Sequence, residues 1–325
     1  MRAIRCTAYG TPEDLVLTEI PTPTAGPGQL LVRVRAAAVN FPDMLFLSGG
    51  YQVAVPPPFT PGSEFAGEVV AVGAGVTGFA PGDRVAGSVL VGAFAEYVAV
   101  QARAVTRVPD GVGLDAAAAF GVTYRTAYFA LRSTAGIGAG DTVVVLGAAG
   151  GVGLAAVDLA VALGARVIAA ASSAEKLALC TARGAQVVID YDRQNLRDEI
   201  KAATDGVGAD AVLDPVGGRY AEPALRALAR GGRFVTLGYA SGQIPSIPLN
   251  LVLLKGITVC GMEIRTFFTD HPEEAARDTA ELHEMFAAGR IAPHIGARFP
   301  LAEAGAAIRF VADRRALGKV IVELP

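Results

Sequence analysis

Tryptophan is absent from these 325 residues, and cysteine and histidine occur only three times each. Cys6, Cys180 and Cys260 are odd in number and far apart, which excludes a disulfide framework and fits a reducing cytosol. His271, His283 and His294 all lie in the C-terminal tail, and no Cys/His cluster has ligand spacing. A dominant charge is missing too. The net charge of −3 leaves no electrostatic footprint for nucleic acid or an anionic membrane. The most apolar stretch, Val152 to Ala171, is interrupted by Asp158, Gly164 and Arg166 and makes a poor membrane span. MRAIRCTAYG, the opening decapeptide, lacks an apolar core of signal-peptide length, so a cytoplasmic protein is expected. With 52% hydrophobic and 18% charged residues, the chain can fold into two domains with ample cores.

Two textures divide it. Up to about residue 110, Pro/Gly turns separate short alternating runs such as Leu30-Leu-Val-Arg-Val-Arg and Gly92-Ala-Phe-Ala-Glu-Tyr-Val-Ala-Val, the mark of an irregular β-rich domain. A helical run begins at Leu114. Beyond it, candidate strands at 142–146, 166–170, 186–190, 211–213, 233–237 and 257–260 mostly alternate with helical segments. That alternation predicts a parallel sheet covered on both faces, a doubly wound α/β domain. The tail returns to mixed texture and is expected to rejoin the first domain, making it discontinuous. The expected boundaries are 1–122, 123–261 and a return segment 262–325.

After the first of those strands comes LGAAGGVGLAA. Ala148, Gly150 and Gly153 have G-x-G-x-x-G spacing with alanine in first place, and Gly151 and Val152 complete the turn. Such a turn bares backbone N–H groups at a helix N-terminus, where a diphosphate is favoured. Gly150 lets the backbone approach the ligand and Gly153 lets helix and strand pack closely. A tight βα turn without a ligand has the same pattern; the strand–helix alternation around it favours the dinucleotide reading.

The second strand ends Ile168-Ala-Ala-Ala-Ser-Ser-Ala-Glu-Lys. Ala171 stands where an NAD-specific fold places a carboxylate for the ribose 2′-hydroxyl. Ser172 and Ser173 can donate hydrogen bonds and Lys176 adds charge, which favours NADPH. Ser173 also reads as a helix N-cap, a role compatible with phosphate binding, while Glu175 offers a ribose partner instead. Gly238 and the Asp214-Pro-Val-Gly-Gly loop follow strand ends, where ligands bind in open sheets.

Ala36-Ala-Ala-Val-Asn-Phe-Pro-Asp, Pro61-Gly-Ser-Glu-Phe-Ala-Gly-Glu-Val, Pro81-Gly-Asp-Arg-Val, Gly121-Val-Thr-Tyr-Arg-Thr-Ala-Tyr, Ala148-Ala-Gly-Gly-Val-Gly and Gly318-Lys-Val occur in that order. With them the whole chain resembles the zinc-independent NADPH:quinone oxidoreductases of the medium-chain dehydrogenase/reductase superfamily. The resemblance implies a GroES-like catalytic domain, a Rossmann domain and a homodimer, for which the edge strand near residues 257–261 is the expected seam. Where zinc-dependent members carry metal ligands, this chain has Asn40, Ser63 and the 121–123 segment, so a metal-free protein is expected.

Without a Lewis acid a C–O bond is a poor hydride partner, whereas a quinone or α,β-unsaturated carbonyl delocalises the incoming charge onto oxygen. The resemblance assigns Asn40 and Tyr51 as donors to that oxygen, adds Asp43, places Thr123 beside the nicotinamide, and gives Tyr191 and Lys319 as contacts to the cofactor phosphates. Against these stand simpler roles: Asn40 bridging loops, Tyr51 packing beneath Pro56-Pro-Pro, and Lys319 as a surface lysine. Phe267 and Phe268 line a pocket wall or merely pack. An enoyl-thioester reductase, with Arg125 and Arg265 at a cationic entrance, and a non-catalytic nucleotide-binding protein are the alternatives.

Overall fold

Apolar runs that follow residue 140 form a six-stranded sheet in the computed structural model, which describes residues 1–325. Its spatial order is Val187–Asp190, Arg166–Ala171, Thr142–Leu146, Ala209–Asp214, Leu228–Thr236 and Thr258–Gly261, with every neighbouring pair parallel. Numbered along the chain this is 3-2-1-4-5-6, the doubly wound arrangement, and the order reverses beside the first strand. Val143 to Leu146 and Val167 to Ala170 are wholly buried. Strands covered on both faces need continuous aliphatic runs instead of alternation, as these have.

The other unit is built on the long strand Gln29–Val39. It pairs antiparallel with Glu64–Val72, Tyr97–Gln101 and Lys319–Glu323. Leu30, Val32 and Val34 alternate inward, and from Ala36 to Val39 every residue is buried. Register then decides what meets. Val39 lies opposite Val320 and Ala38 opposite Glu64, so one step further brings Asn40 beside Lys319, with Glu64 close by.

The chain divides into Met1–Val122 with Pro293–Pro325, and Thr123–Ala292. The first unit is therefore discontinuous, but the return begins at Pro293 and not at 262. Residues 262–292 stay with the parallel sheet because their helices pack there. Phe267 stacks on Phe129 at 4.6 Å. From helix Pro272–Ala287, Asp278 accepts from Ser133 Oγ at 2.6 Å and Glu281 from Tyr128 Oη at 2.6 Å. No helix is long and apolar enough to cross a membrane.

Candidate active site

In the parallel-sheet unit, Thr142–Leu146 runs into a turn and then helix Gly151–Ala162, which Gly150 caps. The chain reverses at Gly147, whose φ of +58° is a conformation that side chains with a Cβ disfavour. A Cβ on Gly153 would lie 2.2 Å from the Gly147 carbonyl oxygen and 2.8 Å from Ala148 Cα, so helix and strand close up only around glycine. A Cβ on Gly150 would meet nothing nearer than that carbonyl at 3.4 Å. The cradle thus has open space at the position expected to admit a ligand, and tight packing at the one expected to hold the helix. The open approach at Gly150 and the helix N-terminus fit a dinucleotide diphosphate.

At the end of the second strand, Ser173 caps helix Ala174–Ala182 by accepting from Lys176 N–H. Lys176 Nζ folds back and donates to Ser172 Oγ at 3.1 Å. Adjacent serines therefore cap the helix and hold the Lys176 ammonium. Tyr191 joins them, since its N–H donates to the Ala171 carbonyl at 3.2 Å. Ser172 and Lys176 meet at one sheet corner with Tyr191 beside them and no carboxylate at Ala171, an arrangement that fits a 2′-phosphate. Asp214 Oδ1 accepts from Val216 N–H (2.8 Å) and Gly217 N–H (2.7 Å), fixing the loop after the fourth strand. Burial raises its pKa. Gly238 follows the fifth strand, and Thr123 is buried in the first turn of helix Gly121–Phe129.

The antiparallel unit carries a different cluster. Lys319 is only 3% exposed, and its ammonium donates to Asn40 Oδ1 (2.7 Å), Glu64 Oε2 (3.2 Å) and the Val39 carbonyl (3.3 Å). Asn40 Nδ2 donates to the same Glu64 oxygen at 3.1 Å, while Glu64 Oε1 accepts from Val122 N–H at 2.6 Å. Two expectations change. Lys319 is neither a surface lysine nor directed at a cofactor phosphate, because a buried ammonium must find acceptors and finds them inside its own unit. Asn40 is not an uncommitted donor for a substrate oxygen; its carboxamide bridges the lysine and the carboxylate.

Asp43 is buried as well. Oδ2 accepts from Asn40 N–H at 2.7 Å, and Oδ1 has no partner. Burial pushes its pKa up to about 7, against the pull of Lys319. Tyr51 lies on Phe46, ring centroids 4.4 Å apart, so it packs on the helix Phe41–Leu47 that Asn40 opens. No group of three or more His, Cys, Asp or Glu side chains is placed to hold a metal ion.

Sequence reasoning missed the Lys319–Asn40–Glu64 bridge, which depends on strand register. It also missed Asp158, the one charged residue of the apolar helix Gly151–Ala162, where Tyr124 Oη and the Arg183 guanidinium converge. The signal was available: a lone carboxylate on a buried helix has to be paired. Asp158 and Arg183 thereby brace the helix whose N-terminus forms the cradle. Phe267 packs on Phe129 as described, and Phe268 is 39% exposed. Arg265 pairs with Glu263 at 3.1 Å, and the Arg125 guanidinium lies 6.0 Å from the Phe268 ring centroid.

Residues 26–110 match the alcohol dehydrogenase GroES-like domain, and residues 151–281 the zinc-binding dehydrogenase family. Quinone oxidoreductase from Pseudomonas aeruginosa is 36% identical over 99% of this chain and 99% of its own length. Quinone oxidoreductase-like protein 2 of Mus musculus is 38% identical over 99% of this chain and 92% of its own. Among solved structures, Escherichia coli quinone oxidoreductase complexed with NADPH superposes with a TM-score of 0.92 at 29% identity, covering 100% of both chains.

Proposed function

The chain belongs to the quinone oxidoreductase family of the medium-chain dehydrogenase/reductases, and we propose that it is a metal-free reductase passing hydride from NADPH to a quinone or other α,β-unsaturated carbonyl. The observation that carries this reading is the Lys319 ammonium seated on Asn40 and Glu64. Both oxygens of Glu64 are engaged, and a fixed internal cation already occupies its carboxylate. The relative solved with NADPH supports the cofactor, as does the corner of Ser172, Lys176 and Tyr191, where Ala171 replaces a carboxylate.

NADPH supplies the hydride. Ala148, Gly150, Gly151, Val152 and Gly153 would hold its diphosphate on backbone N–H groups, and Ser172, Ser173, Lys176 and Tyr191 its 2′-phosphate. Gly238 would leave the fifth-strand end open to the nucleotide, and Thr123 would face the nicotinamide. Asn40 acts as a positioning residue: held by Lys319 and Glu64, it opens the helix that presents Tyr51. The Tyr51 hydroxyl is assigned as donor to the acceptor oxygen as negative charge develops on it. Asp43 holds this arrangement by accepting from the Asn40 N–H.

The scattered cysteines suit a reducing cytoplasm. A second copy of the chain would cover the edge strand Thr258–Gly261 and the leucines of the preceding helix Leu249–Lys255, where Leu249, Leu253 and Leu254 are 65–81% exposed.

Purified protein mixed with NADPH and a panel of quinones and enones should consume NADPH only with acceptor present, at a rate unchanged by a strong chelator. Background-level turnover across the panel, or loss of activity on chelation, overturns the reading. Preference for an enoyl-CoA over every quinone would transfer the assignment to enoyl-thioester reduction.

A further inference from the structure

Register within the parallel sheet aligns Asp190 with Ala171, and the Tyr191 N–H donates to the Ala171 carbonyl. The chain just beyond the third strand therefore runs out at the same corner as Ser172 and Lys176. Its next residue, Asp192, is a carboxylate. A carboxylate near that corner favours a ribose 2′-hydroxyl and repels a 2′-phosphate, which opposes the cofactor assigned above. Asp192 is not bare, however. Arg219 Nη2 donates to its Oδ1 at 2.6 Å and Tyr220 Oη to the same atom at 2.5 Å. The Arg219 guanidinium also lies 5.0 Å from the Tyr220 ring centroid, and that ring packs on Tyr191 at 4.1 Å. A relay of contacts thus joins the loop after the fourth strand to the nucleotide corner. Both charges face solvent, with the Arg219 and Asp192 side chains 72% and 38% exposed, so a ligand can sense the balance between them.

Taking the NADPH reading as its basis, we infer that Arg219 is a specificity-determining residue: it masks Asp192, and that masking lets the corner accept the 2′-phosphate. The interaction is charge against charge, so it weakens as salt rises, and it discriminates between two cofactors that differ only in the phosphate.

Dissociation constants of NADPH and NADH, read from the fluorescence of the bound dihydronicotinamide at low ionic strength, test this without any turnover. Wild type should favour NADPH. Arg219→Gln should bind NADPH on the order of tenfold more weakly while NADH stays within about twofold. Arg219→Gln with Asp192→Asn should recover most of the loss, because no carboxylate is left to mask. Equal weakening of both cofactors, or a double variant no better than Arg219→Gln, overturns the masking. A wild type that prefers NADH overturns the cofactor reading itself, and this inference with it; a wild type that prefers NADPH by a ratio unmoved in Arg219→Gln overturns this inference alone.

Discussion

The lysine bridge of the antiparallel unit and the glycine cradle of the parallel-sheet unit are both polar features set in aliphatic surroundings, yet they are finished in opposite ways. Around Lys319 the ammonium, the carboxamide and both oxygens of Glu64 find partners inside the protein. At the cradle, open space remains before Gly150, and the Lys176 ammonium reaches a serine hydroxyl at a solvent-facing strand end. A self-satisfied cluster stabilises a local geometry and resists change; an open one is suited to a ligand. The difference separates a unit with a closed polar cluster from one with an open glycine turn.

The sharpest way to break that comparison is to strip the bridge of its cation. Lys319→Met leaves Glu64 as a buried, uncompensated charge and should cost about 3–5 kcal/mol in a urea titration. Adding Glu64→Gln should return most of it. If Lys319→Met alone is neutral, the bridge is not the structural element described.

A smaller effect should come from Asp43. Its folded pKa of about 7 lies above the roughly 3.9 of an unfolded aspartate, so its contribution to stability is complete below about pH 4. It is then lost as pH rises through 7, because the folded state resists giving up the proton. Stability should fall by on the order of 4 kcal/mol across that window. Asp43→Asn should flatten this part of the profile; an unchanged slope would assign it to other groups.

Gly153→Ala should cost about 1–3 kcal/mol as the helix shifts away from the Gly147 carbonyl. NADPH affinity should drop with it, although residue 153 bears no charge. A variant that loses stability but binds NADPH normally would separate packing from ligand recognition and weaken the cradle assignment.

Much of the parallel-sheet unit was legible beforehand because its signals are local. A β-branched run, a glycine turn and an apolar helix lie consecutively, and the missing carboxylate at Ala171 sits at a countable distance from them. Ser172 and Lys176 meet there because they lie four residues apart across a helix start. Lys319, Asn40 and the boundary at 293 were not legible. Asn40 and Lys319 lie 279 residues apart and meet only because an antiparallel ladder sets Val39 against Val320. The helices of 262–292 read as amphipathic, but amphipathicity does not say which core receives the apolar face.

Chain order, residue type and short-range spacing were enough to determine the two-unit architecture and the glycine turn between the first strand and its helix. Only tertiary structure decided that the C-terminal lysine serves the carboxylate of its own unit, because strand register, unlike a turn or a helix, is a property of the assembled sheet. The same holds for Arg219 and Asp192, whose pairing follows from parallel strands that end at a common edge.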